Sequence, residues 1–285
     1  MDAKKIAVIG AGTMGNGIAQ VLAAGGFHVV MTDIDDAAIK RGLNAVTKSL
    51  DRLLSKQKIS DSDKKDILGR IKTATKLDAV ADCDVVVEAA TENVELKLKI
   101  FADLDRLAKP SAILASNTSS ISLTRIAGTT RRPSQVIGMH FFNPVPVMQL
   151  VELIRALQTS DDTYQAIRTL TEKLGKTPVE VRNSPGFVAN RILLPMLNEA
   201  VCCLYENLAT AEDIDNVMKL GMAHPMGPLE LADLIGLDTC LSILQVLHDG
   251  FKDPKYRPCP LWREKVDAGH LGRKTGRGFF DYTGR

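Results

Sequence analysis

Six residues near the start of the chain, Gly10-Ala11-Gly12-Thr13-Met14-Gly15, limit what it can fold into more than any other feature. They spell G-x-G-x-x-G between an apolar run at residues 6–9 and a stretch of helical periodicity at 14–24. A second apolar run, His28–Thr32, then ends on the acid Asp33. The string alone is common. Set after a strand, before a helix, and followed by a second strand that ends in an acid, it marks a βαβ unit that binds a dinucleotide. The first glycine permits the tight turn, the second lets the backbone approach a pyrophosphate, and the third lets helix and strand pack closely. The helix N-terminus offers free N–H groups and a partial positive charge to the phosphates. The bland alternative is a glycine-rich turn without a ligand.

Asp33 reads as the acceptor for the ribose hydroxyls of the adenosine half. An ionised acceptor repels a 2′-phosphate, so NAD is the expected cofactor rather than NADP. The alternative is that Asp33 caps the following helix, a task Asp35 and Asp36 can also perform.

The strand–helix alternation continues. Further strands are expected at Ile71–Ala74, Val85–Glu88, 112–115 and 136–140, with a helix at Val94–Leu107. Such alternation builds a mostly parallel sheet covered on both faces. Two later strands, near 148–154 and 177–181, leave room for an antiparallel edge. After Asn183 the pattern turns helical. Ser184 can cap a helix with Pro185 in its first turn. Ile192, Met196, Ala200 and Leu204 recur at helical spacing, as do Leu193, Leu197 and Val201, with Pro195 able to bend the helix. More helices are expected at 211–220, 228–247 and 261–268. The expected fold is α/β: a Rossmann-type, mostly parallel sheet domain at 1–183, then an all-helical C-terminal domain at 184–285.

At 285 residues, two domains are the natural expectation. A formal charge of +2 argues against nucleic acid or an anionic membrane as partner. No apolar run is long enough to span a bilayer. The first strand follows Lys4 and Lys5 at once, so no leader is expected. The 5 cysteines form no C-x-x-C pair, which suits a reduced, cytoplasmic protein. The 5 histidines are scattered, so no metal site is expected.

Ligands of open α/β sheets sit at the carboxyl ends of the strands. Two polar groups fall there: the run Ser116-Asn117-Thr118-Ser119-Ser120, and His140. Removing hydride from an alcohol requires a base for the hydroxyl proton, and histidine titrates near neutrality. Glu152, inside an apolar run, needs a partner if it is buried, and pairing with His140 would fix the imidazole tautomer. A core or capping role for His140, and a solvent-facing edge position for Glu152, are the alternatives.

The runs Ser116–Ser120, His140-Phe141-Phe142-Asn143-Pro144-Val145-Pro146, Leu150-Val151-Glu152 and Asn183-Ser184-Pro185-Gly186-Phe187-Val188-Ala189-Asn190-Arg191 resemble the 3-hydroxyacyl-CoA dehydrogenase family. So do His224-Pro225-Met226-Gly227-Pro228-Leu229-Glu230-Leu231-Ala232-Asp233 and Gly272-Arg273-Lys274-Thr275-Gly276-Arg277-Gly278-Phe279-Phe280. The resemblance implies reversible NAD-dependent oxidation of (S)-3-hydroxybutyryl-CoA, a short acyl-CoA, to acetoacetyl-CoA. It makes His140 the general acid/base and Glu152 its orienting partner. Ser119 would bond the C3 oxygen, and Asn190 would help hold the substrate, which implies a reacting centre between the domains. To the cofactor side it adds Glu92, Lys97, Asn117 and Asn143, and less directly Lys274. Glu92 and Lys97 can also be read as a solvated helix start. It further implies a homodimer formed through the helical domain.

Lys48, Arg52 and Lys56 form a basic stripe at i, i+4 spacing. It can face solvent, or attract the phosphates of coenzyme A as the resemblance implies. Two rivals stay open: a dehydrogenase of a free hydroxy or sugar acid, and a non-catalytic NAD(H)-binding protein.

Overall fold

A computed structural model describes residues 3–284. Eight strands form one sheet in the order β3-β2-β1-β4-β5-β6-β7-β8. Strands β1 (Lys5–Ile9), β2 (His28–Thr32), β3 (Ile71–Ala74), β4 (Val85–Glu88), β5 (Ile113–Ser116) and β6 (Val136–Phe141) run parallel. β7 (Leu150–Arg155) pairs antiparallel with β6, and β8 (Thr177–Arg182) runs parallel to β7. The antiparallel edge anticipated from the sequence therefore comprises two strands.

The central strands read as unbroken apolar runs because neither face meets water: all four residues of β4 and all six of β6 are buried. Helix α1 (Thr13–Ala24) lays Ile18, Ala19, Leu22 and Ala23 into the same core, each at 0% exposure. Gly10 sits at φ +101, which favours glycine, and a Cβ there would come within 2.6 Å of the Ala89 carbonyl oxygen. A Cβ on Gly15 would lie 1.8 Å from the Gly10 oxygen, so α1 starts hard against the turn.

Helix α2 (Asp36–Ser55) is capped by Asp35, whose carboxylate accepts from Ala38 N at 2.6 Å. Asp33 is thereby relieved of that task. Next comes α3 (Asp61–Arg70), a helix that apolar spacing does not reveal because Ile67 is its one buried residue. Its signature is a capping box, with Ser60 and Asp63 bonded reciprocally. Helices α4 (Val94–Leu107), α5 (Leu123–Ala127) and α6 (Asp161–Lys173) complete the connections.

The chain divides into two compact units between Asn183 and Ser184. The second holds α7 (Ala189–Tyr205), α8 (Ala211–Asn216), a π-helical turn at Val217–Gly221, α9 (Pro228–Ile235), α10 (Leu237–Phe251) and α11 (Pro260–Asp267). Its core includes Leu194, Leu197, Val201, Leu229, Leu244 and Trp262. Two expectations need correction. Ser184 does not cap α7. Its carbonyl accepts from Phe187 N at 3.0 Å in a turn where Gly186 and Phe187 both have positive φ, and the helix starts at Ala189. The single helix expected at 228–247 is two, broken at Gly236 (φ +105) with a bend of 99°. α7 itself runs on through Pro195.

Three buried polar side chains organise this unit. Asp215 accepts from Leu229 N (2.8 Å) and Glu230 N (2.9 Å), capping α9 from outside. Asp233 accepts from Phe279 N (2.9 Å), Phe280 N (3.0 Å) and the Tyr282 hydroxyl (3.1 Å). Asn198 Oδ1 accepts from Cys259 N (2.9 Å) and Trp262 Nε1 (3.0 Å), fixing the start of α11. Among the described residues no single helix is long and apolar enough to cross a membrane. The five cysteines are free, and burial pushes the Cys83 thiol up to about 11 and that of Cys240 to about 12.

Candidate active site

Lateral register lines up the strand ends. Ile9 pairs with Thr32 and with Glu88, Glu88 with Ser116, and Ser116 with Gly138. The residues that follow therefore share one edge of the sheet: Gly10, Asp33, Ala89 and Asn117, with His140 two residues beyond Gly138.

At the β1 end, the glycine loop leads into α1 with no side chain capping the helix. A Cβ on Gly12 would meet nothing within 4 Å, so the backbone lies bare toward open space. The Asp33 carboxylate accepts from Ala11 N and from Ile34 N, both at 2.7 Å. A cleft of about 380 Å³ runs beside it, lined by Gly10, Gly12, Asp33, Ile34, Leu77 and Ile100. A second hollow, about 450 Å³, lies along Ala11, Thr13, Asn16, Asp35 and Arg41. Bare amides at a helix start, an acid beside them and an apolar slot suit a dinucleotide. The apolar slot was not anticipated. Its one sequence signal is Ile34, which follows the strand-end acid and is 90% exposed.

At the β6 end, antiparallel register sets His140 directly opposite Glu152. Paired residues project to the same face of a sheet, so two buried side chains meet: His140 Nδ1 and Glu152 Oε2 are 2.8 Å apart. Both are nearly inaccessible, at 6% and 2% exposure. The Phe142 ring lies 4.6 Å from the His140 ring, centroid to centroid. Asn117 Oδ1 accepts from Phe141 N at 2.9 Å, tying the loop after β5 to the strand that carries His140.

That loop carries Ser119, half-buried, whose backbone N–H donates to Glu92 Oε1 at 3.1 Å. The same oxygen accepts from Ser120 N (3.2 Å), from the Ser120 hydroxyl (2.8 Å) and from the Thr118 hydroxyl. Lys97 is not solvated: it is 1% exposed and ion-paired to Glu88, itself fully buried, at 2.5 Å, whereas Glu92 is exposed at the helix start. Glu88 was not singled out from the sequence. Its signal is an acid closing the run Val85-Val86-Val87, with Lys97 nine residues on.

Asn143 is exposed beyond β6, and Lys48, Arg52 and Lys56 are exposed along α2 and at its C-cap. Asn190 stands in the first turn of α7, half-buried. Lys274 belongs to the helical unit, where Asp238 holds its ammonium at 2.5 and 2.7 Å. Among the described residues no cluster of His, Cys, Asp or Glu could hold a metal.

Two family models match the chain end to end. The model of the 3-hydroxyacyl-CoA dehydrogenase NAD binding domain covers residues 5–184, and that of the 3-hydroxyacyl-CoA dehydrogenase C-terminal domain covers 186–282. A 3-hydroxybutyryl-CoA dehydrogenase of Bradyrhizobium diazoefficiens is 56% identical over 281 residues, spanning 99% of this chain and 96% of its own. A probable 3-hydroxybutyryl-CoA dehydrogenase of Bacillus subtilis is 55% identical over 282 residues, covering 99% and 98%. The crystal structure of the (S)-3-hydroxybutyryl-CoA dehydrogenase from Ralstonia eutropha superposes with a TM-score of 0.96 at 57% identity, covering 99% of this chain and 100% of the other. With the dinucleotide loop, the strand-end histidine and the helical second unit, these matches establish that the chain belongs to the 3-hydroxyacyl-CoA dehydrogenase family and is an NAD-dependent oxidoreductase.

Proposed function

We propose that the protein interconverts (S)-3-hydroxybutyryl-CoA and acetoacetyl-CoA, with His140 as the acid/base. The observation that carries this reading is the buried contact between His140 Nδ1 and Glu152 Oε2 at the carboxyl end of the sheet. With Nδ1 engaged by the carboxylate, the other ring nitrogen, Nε2, exchanges the proton. In the oxidative direction His140 Nε2 removes the proton of the C3 hydroxyl. Glu152 stabilises the imidazolium that results and keeps the ring from turning. NAD, which the Gly10–Gly15 loop and Asp33 would hold, would supply the acceptor for the hydride that leaves C3. In the reductive direction His140 returns the proton to the C3 oxygen. The Ser119 hydroxyl bonds that oxygen throughout, and Asn190 contributes to holding the substrate. A positioned acid/base of this kind supplies about 10²–10⁴ in rate.

Asn117 and Asn143 serve the nicotinamide end of the cofactor, and Lys274 is assigned to the cofactor by resemblance alone. Lys48, Arg52 and Lys56, exposed and without a carboxylate partner in any described ion pair, attract the coenzyme A phosphates. Such an attraction is screened by salt, so KM for the thioester should rise with ionic strength. The protein works as a cytoplasmic homodimer. Leu208, Val217, Leu220 and Met222 of the helical unit, 61–85% exposed, support an association through that unit.

The test is loss of NADH absorbance on adding acetoacetyl-CoA, with free acetoacetate as the control substrate. Turnover of the thioester and none of the free acid is expected. His140→Gln should bind NADH normally and lose about 10²-fold or more in kcat. Near-normal kcat in that variant defeats the reading.

A further inference from the structure

One buried cation in the α/β unit is not paired with an acid. Lys176, the residue before β8, is 8% exposed, and among the described residues no carboxylate forms an ion pair with it. Its ammonium donates instead to two backbone carbonyls, those of Val145 and Met148, each at 2.7 Å. Burial holds its pKa below the ordinary lysine value. Both carbonyls belong to one turn. Residues 142–149 connect β6 to β7 and so join the strand of His140 to the strand of Glu152. Within the turn the Pro144 carbonyl accepts from Val147 N (2.9 Å) and Met148 N (3.0 Å). Beside Lys176, Thr177 N donates to the Gln149 carbonyl at 2.8 Å. On its other side the turn presses on α1: Val145 is 2% exposed, and a Cβ on Gly17 would come within 2.9 Å of the Val145 Cβ. The turn is thus clasped between Lys176 and the helix that opens on the glycine loop. Asn143 is the residue that enters it.

We infer that Lys176 is a positioning residue: by holding the 143–148 turn against α1, it fixes where Asn143 stands relative to the glycine loop, and through Asn143 it orients the nicotinamide for hydride transfer. The inference deepens the proposed function and rests on Asn143 serving the nicotinamide end of the cofactor. Two physical arguments carry it. A buried ammonium costs desolvation that a methionine of similar length would avoid, so packing alone does not account for Lys176. Gathering the two carbonyls does account for it, because one ammonium carries several donors and an apolar side chain carries none. The second argument concerns where the effect falls. Hydride transfer depends steeply on how the reacting groups are placed. Affinity for the dinucleotide draws on the Gly10–Gly15 loop and Asp33, which Lys176 does not touch. Loosening the turn therefore falls on kcat and spares NADH binding.

The experiment compares Lys176→Met, Asn143→Ala and the two combined with wild type, all in the full-length enzyme. Without cofactor, amide hydrogen exchange over residues 143–149 should be about tenfold faster in Lys176→Met, with exchange in β1 unchanged. Each single variant should lose about tenfold or more in kcat, and the double variant less than about threefold beyond the worse of them. The dissociation constant of Lys176→Met for NADH, read by fluorescence, should stay within about threefold of wild type. The inference is overturned by unchanged exchange in the turn, by a kcat of either single variant within about twofold of wild type, or by losses that multiply. NADH binding weakened about tenfold or more in Lys176→Met also overturns it, since the turn would then hold the cofactor as a whole. If Lys176→Met does not fold, Gly17→Ala displaces the same turn from its other side, where the added methyl must push Val145 away, and completes the same kinetic cycle. His140→Gln in the unaltered background tests the proposed function separately, so the two can fail independently.

Discussion

The two units bury polar side chains in different ways. In the α/β unit the buried groups at the strand ends meet other side chains: His140 meets Glu152, and Glu88 meets Lys97 and Ser116. In the helical unit the buried groups meet mainly backbone, with one side-chain donor each for Asp233 and Asn198. Asp215 takes two amides of α9, Asp233 takes the amides of Phe279 and Phe280, and Asn198 takes the Cys259 amide. A side chain bonded to backbone fixes where a segment runs, which is architecture. A buried side-chain pair can change its protonation or hand on its position, which is chemistry. The sequence runs that resemble the family look alike in both units and yet do different work. In the helical unit the glycines make room for acids: a Cβ on Gly227 would fall 2.1 Å from the Asp215 carboxyl carbon, and one on Gly278 would fall 1.9 Å from Asp233 Oδ1.

The largest expected effect comes from exchanging the two kinds of defect. Glu152→Gln keeps the shape of a buried pair and removes its charge. It should lower kcat about 10²-fold or more and shift the unfolding free energy by less than about 1 kcal/mol. Asp233→Ala strands two amides and a hydroxyl, so it should cost about 3 kcal/mol in stability and leave kcat of the folded enzyme within about twofold. Kinetics and denaturant melts of both variants decide the matter. A stability loss in Glu152→Gln as large as in Asp233→Ala would erase the distinction between the units.

How much of this was legible follows the same division. The parallel sheet and the dinucleotide loop could be read because period and glycine spacing are local properties. The meeting of His140 with Glu152 is nearly local: a short connection and an antiparallel register put them opposite each other. Glu88 and Lys97 were harder. Each is ordinary where it stands, and the pairing appears only when the first turn of α4 folds back against the end of β4. Helix α3 was missed because it buries one residue, leaving no stripe to detect. The break at Gly236 was missed because the apolar spacing of α9 and α10 reads through the glycine and does not register a 99° bend. The acids of the helical unit reveal themselves least, since their partners are backbone amides that any residue could supply.

A smaller effect sharpens the α/β side. Asp33 holds the Ala11 amide and borders the cleft that suits the adenosine ribose. Asp33→Ala removes a charge-assisted acceptor worth about 1.5–3 kcal/mol, so kcat/KM for NADH should fall about 10–100-fold. NADPH, no longer repelled and with Arg41 lining the neighbouring hollow, should gain relative to NADH. An unchanged ratio of the two cofactors would remove Asp33 from the recognition of the ribose.

The smallest effect sets the two units against each other on the pH axis. In the helical unit burial raises the Asp233 carboxyl above its ordinary value, against the bonds from Phe280, Phe279 and Tyr282 that favour its charge. The folded state then holds that proton more tightly than the unfolded chain does. The contribution of Asp233 to stability is full below the unfolded value of about 3.9 and is lost as pH rises through the folded value. In the α/β unit Asp105 goes the other way. Burial pushes it up, but the Arg131 amide and the Arg131 and Arg132 guanidiniums outweigh burial and hold it below the ordinary range. Its contribution is present above the unfolded value and is lost as pH falls through the folded one. Melts of Asp233→Asn and Asp105→Asn from about pH 3 to neutrality should therefore diverge from wild type with opposite slopes. Wild type should lose ground to Asp233→Asn as pH rises, and its advantage over Asp105→Asn should shrink as pH falls. Slopes of the same sign would mean that backbone amides hold the charge of Asp233 as firmly as guanidiniums hold that of Asp105, and the electrostatic contrast between the units would be gone.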